Sequence, residues 1–174
     1  MDAQADRTIQ HSVLAKSFHW GVALLYAYGI IKQIDDIAQL NELGLLKFEV
    51  VFALLLLIIL GARFLYMRTQ PSALPPSSSP MHVRGAKIVH YGMYIAIASI
   101  ALSGLLIGCL VYFGFDHSGF AMAIAIQLHD ISVSVSYWLI GLHILAAFYH
   151  RFMKTGVWDS MVPIFKEEVR NKEV

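Results

Sequence analysis

Of the 174 residues, 57% are hydrophobic and only 14% charged, with a formal net charge of +1 and a mean hydropathy of +0.62. A water-soluble domain of this size carries about a quarter charged residues, so the composition excludes an ordinary soluble enzyme and marks a small integral membrane protein. The near-zero charge implies no nucleic-acid or acidic partner, and the single Cys109 excludes an intrachain disulfide.

In chain order, the N-terminal MDAQADRTIQHSVLAKS is polar and of mixed charge, unlike a cleavable signal peptide. Four apolar runs follow, over about 17–34, 45–67, 88–113 and 121–149. Each is long enough to cross about 30 Å of hydrocarbon as a helix. Between the second and third lies PSALPPSSSP, whose prolines cannot continue a helix, so residues 70–81 read as an extended loop. The tail FKEEVRNKEV is of mixed charge and belongs at the membrane surface or in water. The expectation is one all-α membrane domain over 1–174, a four-helix bundle.

Lys and Arg decide the orientation of such a bundle. Eleven of the 13 lie in the N-terminal tail (Arg7, Lys16), the second connection (Arg63, Arg68, Arg84, Lys87) and the C-terminal tail (Arg151, Lys154, Lys166, Arg170, Lys172). The first connection has only Lys32 and Lys47 among Asp35, Asp36, Glu42 and Glu49, and the third has none. This places both termini and the Pro-rich loop in the cytoplasm, with the acidic connections facing outward, into the periplasm if the host is a Gram-negative bacterium.

The histidines then acquire depths. His129 and His143 are fourteen residues apart, which on a helix is about 21 Å along the axis and within about 40° of one face. Ionisable groups inside a membrane span are costly and suggest function by default. One imidazole per leaflet is how a helix would hold two metal centres stacked across a bilayer, and an iron held by two imidazoles from different helices suits electron transfer. His19 near the cytoplasmic end of the first helix makes a pair with His143. His90 and His150 lie near that same interface, where a polar ring also serves as an anchor. His11 and His82 fall in polar segments and read as solvated, and His117 belongs to the outer loop.

Several segments carry a resemblance in order along the chain. They are FHWGVALL (18–25), GARFLYMR (61–68) followed by prolines, HYGMYIAIASIALSGLL (90–106) and LHDISVSVSYWLIGLHILAAFYHRF (128–152). Together they resemble the bacterial cytochrome b561 family of four-helix di-haem membrane cytochromes. The resemblance implies haem b between the helices, with His19 and His143 as axial ligands of the cytoplasmic haem and His129 as a ligand of the outer one. It also implies exchange with the quinone pool. One activity in that family is superoxide oxidation at the outer face with ubiquinone as acceptor, a superoxide oxidase-like electron-transfer enzyme.

The family's other ligand for the outer haem is a histidine near the start of the second helix. Here that segment reads LLKFEVVF (45–52), with Glu49 at or next to the expected place and Lys47 half a turn away. The amine of Lys47, the carboxylate of Glu49 and His117 from the outer loop stand as substitute ligands, and a five-coordinate or empty site is the fourth outcome. An interfacial ion pair of Lys47 with Glu49, without a metal role, is the plain alternative.

Gly104 and Gly108, with Ser99 and Ser103, put small residues along the third helix, where helices or a flat macrocycle approach closely. No phosphate-binding loop, dinucleotide fingerprint or Ser-His-Asp pattern is present, so electrons must come from quinol, a redox partner protein or a small diffusible species. Two rival functions remain at this point: a cytochrome b subunit anchoring a dehydrogenase or hydrogenase, and a non-redox helical transporter.

Overall fold

The computed structural model describes residues 11–34, 36–71, 79–162 and 164–165. Its helices are α1 (Val13–Ile31), α2 (Leu43–Met67), α3 (Pro80–Tyr112), α4 (Phe120–Phe152) and the short α5 (Val157–Met161), with a 3-10 turn at Ile37–Asn41 between α1 and α2. No strand occurs among the described residues. Three of these helices, α2, α3 and α4, are long and apolar enough to cross a membrane. The 19 residues of α1 would reach about 28 Å at 1.5 Å per residue.

Serine side chains set the starts of two helices. Ser12 accepts a hydrogen bond from the Ala15 N–H at 3.1 Å and opens α1. Ser79 does the same for α3, accepting from the His82 N–H at 3.3 Å, with Pro80 in the first turn where its missing N–H costs nothing. That start corrects the expected loop at 70–81: residues 80 and 81 are already helical, and 72–78 lie outside the described residues. Hydropathy marks only the apolar part of α3, whereas the helix runs two turns further into polar sequence. The termini, residues 1–10 and 166–174, also lie outside the described residues, so the reading of the tail is not addressed there.

Consecutive helices run antiparallel and pack on one another. The starts of α1 and α3 and the ends of α2 and α4 therefore share one end of the bundle, here the termini end. Ser12 and Tyr66 join α1 to the end of α2 there by a 2.8 Å hydrogen bond. One apolar cluster (Val22, Ala53, Leu56, Leu60, Ile97, Ala101) ties α1, α2 and α3 together. A second (Leu40, Leu46, Ile107, Val111, Met122, Ala125) packs the 3-10 turn against α2, α3 and α4 at the opposite end.

The bundle is apolar outside as well. Trp138 and Phe120 are each 83% exposed, and Ile58, Leu65, Leu102 and Leu145 also face outward. A soluble monomer does not present so large an apolar surface, while hydrocarbon solvates it without cost. Buried positions go to small side chains such as Ala125, Ser132 and Ser136, which let backbones approach. The result is a multi-pass membrane protein in contact with lipid.

One pair of helices does not close. Although α1 and α4 are the first and last long helices of the bundle, none of their Cα atoms come within 8 Å of each other. The gap between them is crossed by side chains alone.

Candidate functional site

At the termini end, His19 of α1 and His143 of α4 face each other across this gap, with ring centroids 6.3 Å apart. His90 of α3 stands edge-on to His143 at 5.1 Å, its Nδ1–H donating to the Ala86 carbonyl at 2.8 Å. Arg63 enters from α2, donating from Nη1 to the Tyr94 hydroxyl at 2.6 Å and from Nη2 to His19 Nδ1 at 3.1 Å. A guanidinium only donates, so His19 Nδ1 accepts here and its ring proton resides on Nε2. The third guanidinium nitrogen, Arg63 Nε, is buried without a hydrogen-bond partner among the described residues. His150, about two turns beyond His143, is hydrogen-bonded to Thr155 Oγ1 at 3.0 Å.

Midway along the gap, the Tyr26 hydroxyl and Ser136 Oγ meet at 2.6 Å. Ser136 lies seven residues from both His129 and His143, about 10 Å along the axis from each. The bond therefore separates two storeys. The oxygens come from α1 and α4, and this pairing is invisible in the sequence.

In the opposite half, His129 of α4 borders a cavity of about 550 Å³, within the range of small-molecule and cofactor sites. Its Nδ1–H donates to Ser103 Oγ at 3.1 Å, while Ser103 spends its own proton on the Ser99 carbonyl at 2.6 Å. That fixes the tautomer and leaves the Nε2 lone pair available. The wall beside it is Gly104, where an added Cβ would stand 3.7 Å from His129 Cε1. Gly108 lets Val50 and Leu46 of α2 close in, at 3.3 and 3.4 Å from where its Cβ would be.

Across the cavity, Glu49 of α2 is ion-paired with Lys32 at the end of α1. The Lys32 ammonium also sits 4.3 Å from the Phe48 ring centroid, a cation–π arrangement. This corrects the expected partner of Glu49, which was Lys47. Two positions along a helix are about 200° apart, so Lys47 turns away from Glu49. It is exposed and borders a separate groove with Cys109 and Tyr112. His117 sits in the α3–α4 turn and does not border the His129 cavity. His82 is exposed, as expected of a solvated residue, but His11 is not: it is 7% exposed. A reading of local polarity cannot foresee that burial.

Whether these side chains suit haem is a matter of donor chemistry and space. Imidazole nitrogens bind metals at about 2 Å, with the ring centroid about 1 Å behind, so two rings on one metal stand about 6 Å apart. The separation of His19 and His143 meets that requirement. The orphaned Arg63 Nε is a donor in want of an anion, which a haem carboxylate would satisfy. In the opposite half the volume and the glycine wall suit a flat macrocycle, but only one imidazole is offered.

A family model described as prokaryotic cytochrome b561 matches residues 10–163. No curated protein and no solved structure matches the chain.

Proposed function

The chain belongs to the prokaryotic cytochrome b561 family, and on that premise we propose that it is a haem-b cytochrome carrying single electrons across the bacterial inner membrane, with α1 as a fourth span and both termini cytoplasmic. The observation that carries this reading is the His19–His143 pair, two imidazoles on unconnected helices at the separation one iron requires. Bound haem supplies reversible one-electron chemistry at its iron.

The protein's part is to hold and to tune. His19 and His143 would hold the haem of the cytoplasmic half. To bind through Nε2, His19 would give up the proton it carries there and protonate Nδ1, releasing Arg63 from that nitrogen. The guanidinium would then be free for an anion, and its fixed charge would favour the reduced site. His129, oriented by Ser103, would be the ligand of the outer half.

The finer reading is exchange with the quinone pool, with superoxide as the outer donor and ubiquinone as acceptor. Two superoxide ions would each give one electron and leave as dioxygen, and ubiquinone would take two electrons and two protons. The connections at the outer end are short, giving a soluble partner little to grip, which favours a free-standing enzyme over an anchor subunit.

The test is purification of the full chain in detergent with a reduced-minus-oxidised visible spectrum. Sharp α and Soret bands are expected, and a colourless protein overturns the reading. Superoxide-dependent reduction of a soluble ubiquinone analogue tests the finer assignment, which fails if reduction requires a co-purifying dehydrogenase.

A further inference from the structure

The two storeys of the gap are not chemically equivalent. The cytoplasmic one offers facing imidazoles, whereas the outer one offers an imidazole facing a closed ion pair. We propose that the outer cavity holds a second haem b on His129 alone, leaving the remaining axial position of iron open to small exogenous ligands such as carbon monoxide. This rests on the haem-b reading above and goes beyond it in the coordination of the second site.

Three observations support it. First, His129 is prepared as a ligand. Its Nδ1–H is committed to Ser103 Oγ at 3.1 Å, and that oxygen's own proton goes to Ser99. Hydrogen bonding of the far ring nitrogen is the usual device that fixes a metal-binding histidine. Second, the cavity of about 550 Å³ runs from His129 to α1 and α2, with Gly29, Gly104 and Gly108 along its wall.

Third, no ready ligand meets iron from the other side. The polar groups there are the Glu49 carboxylate and the Lys32 amine, each taken by the other, the Tyr26 hydroxyl, paired with Ser136, and the Gln33 amide, which donates to the Tyr137 hydroxyl. Neither Lys32 Nζ nor Glu49 Oε1 has a further hydrogen-bond partner among the described residues. Recruiting either to iron would strand the other's charge in a sheltered site. Lys47 borders a different groove, and His117 is absent from the cavity wall. The pair instead leaves a polar, charged wall opposite His129, and the polarity of that side governs which small ligands an open iron accepts.

The experiment uses the full-length chain in detergent, with haem content from the pyridine hemochrome assay, ferric electron paramagnetic resonance, and carbon monoxide added to the reduced protein. Two haems per chain are expected, one low-spin and one high-spin, with carbon monoxide shifting the Soret band of about half the haem. His129→Ala should lose the haem that responds to carbon monoxide and keep the low-spin one. The double variant Lys32→Met with Glu49→Leu, which removes both charges together, should leave one low-spin and one high-spin haem in place, because neither group is a ligand. Glu49→His should make the second haem low-spin and insensitive to carbon monoxide.

One haem per chain, or two haems with no response to carbon monoxide in the unmodified protein, overturns the proposal. If that single haem is lost in His143→Ala, the haem-b reading survives while this inference falls. A protein with no haem at all removes both.

Discussion

His19 and His143 stand with ring centroids 6.3 Å apart on two helices whose backbones stay more than 8 Å from each other at every Cα. Helices packed through small residues alone would close that distance. Here the spacing is kept by long side chains, Arg63 behind His19 and the Tyr26–Ser136 bond a level away. The expectation is that the pair forms one metal site. His143→Ala or His19→Ala should therefore each remove the low-spin haem and lower haem content, read by the pyridine hemochrome assay. His90→Ala, on a ring that touches His143 but is anchored to its own helix, should leave haem content unchanged. Full haem retention in His143→Ala would show that the ligand is another residue.

Arg63 is expected to tune rather than to hold. Its guanidinium links α2 to Tyr94 of α3 and to His19, and a fixed cation near a redox centre favours the form with one more electron. Arg63→Met should keep haem but lower the midpoint potential of the low-spin centre in a redox titration. The same variant should lose roughly 1.5–3 kcal/mol of stability, the usual worth of hydrogen bonds to a charged group. An unchanged potential would mean that the charge is compensated elsewhere.

The Lys32–Glu49 pair gives a sharper energetic test. The side chains are 24% and 27% exposed, so removing one partner leaves a partly sheltered charge uncompensated, a loss between the ~1 kcal/mol of an exposed pair and the ~3–5 kcal/mol of a fully buried one. Lys32→Met should be strongly destabilising in a thermal melt of the detergent-solubilised protein. The double variant Lys32→Met with Glu49→Leu should recover most of that loss, since removing both charges avoids the stranded one. Equal melting of the single and double variants would show that the pair is not energetically coupled.

The contrast between the two storeys explains what could be read from the sequence. Helical, membrane-embedded character followed from apolar runs, because hydrocarbon imposes one solution on the backbone. The shared face of His129 and His143 followed from helical periodicity, because both lie on one helix. Pairings between helices were another matter. Closeness along the chain points to Lys47 as the partner of Glu49, whereas Lys32, seventeen positions away, is close in space. In the sequence Ser103 is only a small residue, and nothing local announces that its hydroxyl oxygen accepts from the His129 N–H. The charge of Arg63 points to an interfacial place and says nothing of its bond to His19. The turn at Ile37–Asn41 and helix α5, five residues each, are too short to leave a periodic signal.

His11 supplies a prediction in pH. It lies just before α1, is 7% exposed, and its Nδ1 has no hydrogen-bond partner among the described residues. Burial, and then the positive charges of Lys16 and Arg63, push its pKa below the ordinary value of 6.5. A histidine held neutral in the folded state and free to protonate when unfolded stabilises the fold above about pH 6.5. That contribution is lost as pH falls below this value toward the lowered folded-state pKa, because the unfolded chain then binds a proton that the native site resists. The thermal midpoint of the detergent-solubilised protein should accordingly drop between pH 7.5 and pH 5.5. His11→Asn, which removes the titrating group while keeping a polar side chain of similar size, should drop less over the same interval. Other histidines titrate in both proteins, so the difference between the two profiles isolates this one. Parallel profiles would mean that residue 11 is as accessible to protons in the folded chain as in the unfolded one.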